Sequence, residues 1–101
     1  MLCGAQPNSE HCFGTKDLQI FYNCADESWS DDSEHYHTES DEIYIVLEGS
    51  MNIEVEGKLV SVNAGEYLCI PRKERHQLMS VETPHKSLVV RGPSVQDKIL
   101  S

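Results

Sequence analysis

From Glu42 onward the chain is a succession of short, β-branched runs cut by tight-turn residues, and this cadence excludes most folds. Glu42 to Leu47 (EIYIVL) is followed by Glu48-Gly49-Ser50, and Met51, Ile53 and Val55 then alternate with Asn52, Glu54 and Glu56. Such alternation gives a strand one apolar and one polar face. Glu56-Gly57 is the next turn, Leu59 to Val62 the next strand, and Asn63-Ala64-Gly65 the next stop. Tyr67 to Ile70 ends at Pro71, which has no N–H to give to a ladder. His76 to Val81 and Ser87 to Arg91 complete the series, and Leu18 to Tyr22 precedes it. Strands this short at this spacing predict an all-β sandwich or barrel. No helical period of useful length comes before Ser94; the tail from Ser94 to Leu100 is expected to form one helical turn, capped by Ser94.

A chain of 101 residues accommodates one domain. Residues 1–16, with Gly4, Pro7, Asn8, Ser9 and Gly14, are expected to be an irregular arm, and residues 17–101 the domain proper. Asp26 to Glu34 is polar and turn-rich, so a loop is expected there. Ile43 to Leu47 is apolar on both faces, as a strand covered on both sides would be. One face would look into the barrel and the other could meet a second copy of the chain, so a homodimer is expected, which also suits a thin core.

Acidic residues outnumber basic ones 17 to 8, for a net charge of −9. That excess repels phosphate backbones and anionic lipid, so neither nucleic acid nor a membrane surface is an expected partner. No apolar stretch has membrane-spanning length and no signal peptide is recognisable at Met1 to Gln6. Cys3, Cys12, Cys24 and Cys69 show no C-x-x-C spacing, so they are expected to be free thiols in a reducing cytoplasm rather than a thiolate zinc site.

His35 and His37 are two residues apart, so on a strand both imidazoles converge on one face. Glu42 returns after a polar stretch at the head of the next strand, and His76 lies just beyond the stop at Pro71. Three imidazoles and a carboxylate suit manganese, iron, nickel, cobalt or zinc and do not suit calcium. His11 and His85 fall outside this pattern and are expected at the surface.

These residues resemble the two signatures of the cupin superfamily. The first reads His35-Tyr36-His37, then Glu42, then Gly49; the second reads Gly65, Pro71 and His76, after a gap of fifteen residues. Lys73 stands where the second signature usually has Gly, and Ser80 where it usually has Asn; a non-Gly residue fits the first position if φ stays negative or strain is tolerated. The resemblance runs from about Leu18 to Arg91. It implies a jelly-roll β-barrel with Greek-key connections, a single divalent ion on His35, His37, Glu42 and His76, and one or two coordination positions left for water or substrate.

A divalent ion on three neutral imidazoles and one carboxylate leaves one net positive charge, which welcomes an anionic or enolate-like small molecule. The expected function is therefore a metal-dependent isomerase, epimerase, lyase or dioxygenase; the alternative is a non-catalytic small-ligand or sensor module. Tyr44 shares parity with Glu42 and Val46, points inward, and is the candidate proton donor. Tyr36 and Arg72 are candidate substrate contacts.

Overall fold

Two long strands organise the molecule. The computed structural model describes residues 3–4, 13–26, 34–95 and 97–100, and divides them into β1 (Cys3–Gly4), β2 (Phe13–Gly14), β3 (Gln19–Ala25), β4 (His35–His37), β5 (Asp41–Val55), β6 (Lys58–Asn63), β7 (Tyr67–Ile70), β8 (His76–Gly92) and β9 (Lys98–Leu100). No helix occurs among the described residues. β5 and β8 run antiparallel along almost their whole lengths, from Asp41 opposite Gly92 to Val55 opposite His76. Their pairing shifts register between Val46 and Glu48, between Glu48 and Ser50, and between Asn52 and Ile53. Such irregularities bend a ribbon and increase its twist. The ribbon therefore serves both walls of a jelly-roll barrel. β3 and β7 flank its Asp41–Val46 and Ser87–Gly92 ends, whereas β6 and β4 flank its Met51–Val55 and His76–Val81 ends, with β9 beyond β4.

The apolar parity of each strand points between the walls. Tyr44, Val46, Ile70 and Val89 from one wall meet Met51, Ile53, Val62, Leu78 and Val81 from the other, all buried. Fully burying an aliphatic side chain of this kind is worth about 1.5–3 kcal/mol, so this inner layer is what closes the barrel.

The expected break at Glu48-Gly49-Ser50 is a bend inside one strand rather than a hairpin, and His76–Val81 and Ser87–Arg91 likewise fuse into β8. Gly49 has φ of 78°, and a Cβ there would overlap the carbonyl oxygen of Glu82 and lie 2.7 Å from that of Pro84. Gly is thus required for close backbone approach where the ribbon folds over. Glu56 and Gly57, with φ of 48° and 80°, form the two-residue turn between β5 and β6, as both central residues of a type I′ turn must. The expected Leu18–Tyr22 strand extends to Ala25.

The tail is a second correction. Residues 98–100 are a strand, pairing His37 with Lys98, Tyr36 with Ile99 and His35 with Leu100, in place of the expected helical turn. β4 exposes a free edge beyond its single pairing to β8, and its backbone groups need partners that a helix could not supply. Ser94 heads no helix among the described residues; its N–H bonds the carbonyl of Lys16 at 3.0 Å. Of the expected irregular arm, Cys3–Gly4 pairs with Phe13–Gly14 and Cys3 with Ile20. The rest of residues 1–12, His11 and Cys12 included, and residues 27–33 of the expected loop lie outside the described residues.

Candidate metal centre

His35 and His37 lie on the inner face of β4, and His76, the antiparallel partner of His35, opens β8 beside them. Glu42 approaches from the opposite wall at the start of β5. All four are buried. One donor atom from each lies within 4.8 Å of the other three. His76 Nε2 is 2.9 Å from Glu42 Oε1, and His37 Nε2 is 3.4 Å from Glu42 Oε2.

The far ring nitrogens determine what these donor atoms are. His37 Nδ1 sits 3.0 Å from Asp97 Oδ1, and His76 Nδ1 sits 3.2 Å from the carbonyl oxygen of Glu74. A carboxylate and a carbonyl only accept, so each Nδ1 carries the hydrogen and donates it. In the neutral rings a lone pair is then left on each Nε2, aimed at Glu42. Three buried atoms, His37 Nε2, His76 Nε2 and Glu42 Oε1, have no hydrogen-bond partner. Buried polar atoms left in that state cost free energy. A cation placed among them removes the cost, and the nitrogen and oxygen donor set fits a divalent transition metal.

Arg91 and Asp97 hold the donors in place. Arg91 Nε and Nη2 donate to Glu42 Oε2 at 3.2 and 2.8 Å, which leaves Oε1 facing the imidazoles. Burial alone would raise the Glu42 carboxyl; hydrogen bonds from His37 and His76, made when those rings carry a proton on Nε2 as well, and the charge and hydrogen bonds of Arg91 outweigh burial and hold it well below the usual carboxylate range. It is therefore ionised, as a ligand must be. Asp97 Oδ2 accepts from the backbone N–H of Glu39, the backbone N–H of Ser40 and the Ser40 hydroxyl, each at 2.8 Å. Burial raises this carboxyl too, and those bonds together with His37 bring it below its ordinary value. A carboxylate that orients a ligating imidazole in this way is the usual outer partner of a metal site.

Tyr44 does face inward. Its ring centroid is 6.3 Å from that of His76, and it lines a recess of about 170 Å³ beside His35, Glu42 and Arg91. The structure does not bring Tyr36 or Arg72 to the cluster. Tyr36 is on the opposite face of β4, with the Arg75 guanidinium 5.8 Å from its ring centroid. Arg72 is exposed and donates from Nε and Nη2 to Asp41 at 3.2 and 3.1 Å. His85, expected at the surface, is buried, with Nε2 2.9 Å from the Ser87 hydroxyl. It shares the inward parity of Ser87 and Val89, and burial lowers its pKa.

Sequence reasoning missed Arg91, Asp97 and Ser40. Arg91 carried a signal, because it has the parity of the core residue Val89 at the end of a strand, so an inward charge was implied. Asp97 carried none, since its role depends on the tail being a strand. Cys24 and Cys69 are free thiols, as expected; no disulfide statement attaches to Cys3 and Cys12. Among the described residues, no helix is long and apolar enough to cross a membrane.

Comparisons with known proteins bear on the family and the fold. Residues 26–90 match the protein family described as Cupin domain. A curated protein of Streptomyces cyaneus described as polyketide synthase CurC is 37% identical over 49 residues, which is 48% of this chain and 32% of that protein; the match thus spans about a third of that relative's length. Among solved structures, Streptomyces PAC13 with uridine superposes with a TM-score of 0.74 at 12% identity, covering 86% of this chain and 69% of that one. KdgF from Halomonas sp. gives 0.72 at 22% identity, covering 81% and 74%. A putative mannose-6-phosphate isomerase from Ralstonia eutropha gives 0.66 at 21%, covering 82% and 80%. Identities this low establish a shared fold.

Proposed function

The chain belongs to the cupin domain family, and on that premise we propose that it is a metal-dependent enzyme acting on a small polar or anionic molecule. One divalent ion of manganese, iron, nickel, cobalt or zinc would be held by His35, His37, Glu42 and His76. The observation that carries this reading is the set of three buried, hydrogen-bond-free donor atoms, two of them turned inward by Asp97 and by the carbonyl of Glu74.

When bound, the ion supplies Lewis acidity toward a carbonyl or a water at its open position. The chain's own groups do the remaining work. Arg91 keeps Glu42 ionised and single-pointed. Asp97 keeps the His37 lone pair inward. Tyr44, which borders the recess, would give a proton to a substrate oxygen or carbon and take it back. Leu78 and Val89 line the recess with apolar surface and limit water around the reacting group. Such a division of roles suits isomerisation, epimerisation or elimination next to a carbonyl, and, with iron, oxygen chemistry. Fold relatives bearing the names nucleoside dehydratase and isomerase support the first group by analogy.

The test is metal content by elemental analysis on tag-free protein, for the native chain and for His76→Ala, followed by a turnover screen of sugars, keto acids and diketones with the metal-loaded chain. One ion per native chain and little in the variant are expected. Full metal in His76→Ala overturns the ligand set. Tight ligand binding without turnover overturns the catalytic part and leaves a metal-dependent binding module.

We further propose that the chain works as a cytoplasmic homodimer. The outward face of the wall formed by β3, β8, β5 and β7 aligns Ile20, Val90 and Ile43 in one row and Tyr22, Leu88, Ile45 and Tyr67 in the next, with Tyr22 45% and Tyr67 70% exposed. Four strands about 4.8 Å apart and these two side-chain rows about 6.8 Å apart give roughly 260 Å² in plan. This is about a third of the roughly 800 Å² per partner that a stable dimer buries, a size that suits its apolar centre within a polar rim. Free Cys24 and Cys69 support a reducing compartment.

A further inference from the structure

β9 does more than cover the edge of β4. Lys98 is the direct antiparallel partner of His37, and directly paired residues project to the same face of a sheet. Lys98 therefore stands on the side of the histidines. It lines the recess of about 170 Å³ at the metal centre. It also lines a second recess of about 320 Å³, with Gln19, Val95 and Asp97. Phe21, Arg91 and Lys98 border both, so the two recesses share a wall of one aromatic ring and two cations. A recess of this size is adequate for a small molecule.

Both cations have donors to spare. Arg91 uses Nε and Nη2 on Glu42 and Nη1 on Gln19 Oε1 at 3.3 Å; of the five N–H donors of a guanidinium, two remain uncommitted among the described residues. Lys98 is exposed and has no ion pair among the described residues. Asp97, the acid at the larger recess, has both oxygens engaged, Oδ1 by His37 and Oδ2 by Glu39 and Ser40. With a divalent ion present, Glu42, Asp97, Arg91 and Lys98 leave a surplus of two positive charges around the pair of recesses. In a chain whose acids outnumber its bases 17 to 8, that is a local inversion of sign, and it matches a dianion.

We infer that Lys98 and the free edge of Arg91 form an anion subsite next to the metal centre, and that the molecule taken is a small acid with two anionic ends. This rests on the metal reading above for one end only. A metal-chelating hydroxy- or keto-carboxylate occupies the centre, and a second carboxylate or a phosphate seats between Lys98 and Arg91, with the intervening carbons against Phe21.

Calorimetric titration of the metal-loaded chain with glycolate, malate and phosphoglycerate tests this. All three carry the chelating end, phosphoglycerate as the isomer phosphorylated on its terminal hydroxyl; malate adds a carboxylate terminus and phosphoglycerate a phosphate. Malate or phosphoglycerate is expected to bind about tenfold tighter than glycolate, as one charge-assisted contact provides. Lys98→Gln is expected to bring both down to the glycolate level, with glycolate affinity and metal content unchanged. Whichever probe loses more identifies the natural terminus. Two-ended probes that bind no better than glycolate overturn the subsite and leave the metal centre standing, as does Lys98→Gln with undiminished malate and phosphoglycerate binding. If the chain takes up no metal, the metal reading fails and the same probes are titrated into the metal-free chain. Loss of affinity on Lys98→Gln then upholds the cationic subsite, and no loss overturns it.

Discussion

The side chain most responsible for the state of the centre is one that would not touch an ion. Asp97 spends one oxygen on His37 Nδ1 and the other on three donors of residues 39 and 40. Removing it in Asp97→Ala leaves every donor present but frees the His37 ring. Metal affinity is expected to fall about 10–100-fold, read by competition with a chromophoric chelator; an unchanged affinity would show that His37 is oriented by something else. The two carboxyls also set an acid limit. Glu42 and Asp97 titrate in the folded chain below their ordinary values of 4.5 and 3.8. A depressed folded pKa contributes stability that is fully present above the unfolded value and is lost as pH falls toward the folded one. The metal-free protein should therefore lose stability from about pH 4.5 downward, and Glu42→Gln should flatten that slope. Urea midpoints collected across the acid range would show it, and equal slopes in both proteins would refute it.

At the scale of elements, two left-handed positions decide how strands become walls. Gly49 lets the β5–β8 ribbon fold over itself. In Gly49→Ala the new Cβ meets the Glu82 carbonyl at a φ of 78°, so the backbone must move, and a loss of roughly 3 kcal/mol or more is expected. Lys73 is the opposite case. It sits at φ of 72°, with its N–H on the carbonyl of His37 at 2.6 Å, so the strain is tolerated rather than avoided. Lys73→Gly relieves about 1–2 kcal/mol of αL strain against about 0.5–1 kcal/mol of added chain entropy. The net is a gain of up to about 1.5 kcal/mol, visible as a raised urea midpoint at constant slope. A lowered midpoint would mean that the Lys73 stem packs usefully.

On the scale of the whole molecule, the outward apolar face of the barrel is where the proposed dimer would form. Ile45 lies in the middle of the outward apolar face, opposite Leu88 and Tyr67. Ile45→Lys puts a charge at the centre of the proposed dimer without touching the inner layer. Sedimentation should show the variant as monomer with its metal content intact; native and variant chains with the same mass in solution would refute the dimer. Since each copy carries a net charge of −9, native association should strengthen with salt, which screens repulsion between copies.

The strand cadence, the turn glycines and the four candidate ligands were legible in the amino-acid order because each depends on local rules: alternation with period two, φ above zero, and two imidazoles on one strand face. The ends of β5 and β8, the position of Arg91 against Glu42, the burial of His85 and the use of the tail as β9 were not. Those depend on which strand lies beside which, and pairing across 49 residues, as between Glu42 and Arg91, leaves no local trace. Residue types and spacing determined that a set of side chains compatible with a metal site was present. Only the closing of two walls around it determined which oxygen of Glu42 is left bare, which nitrogen of each imidazole faces it, and which cations stand at the opening.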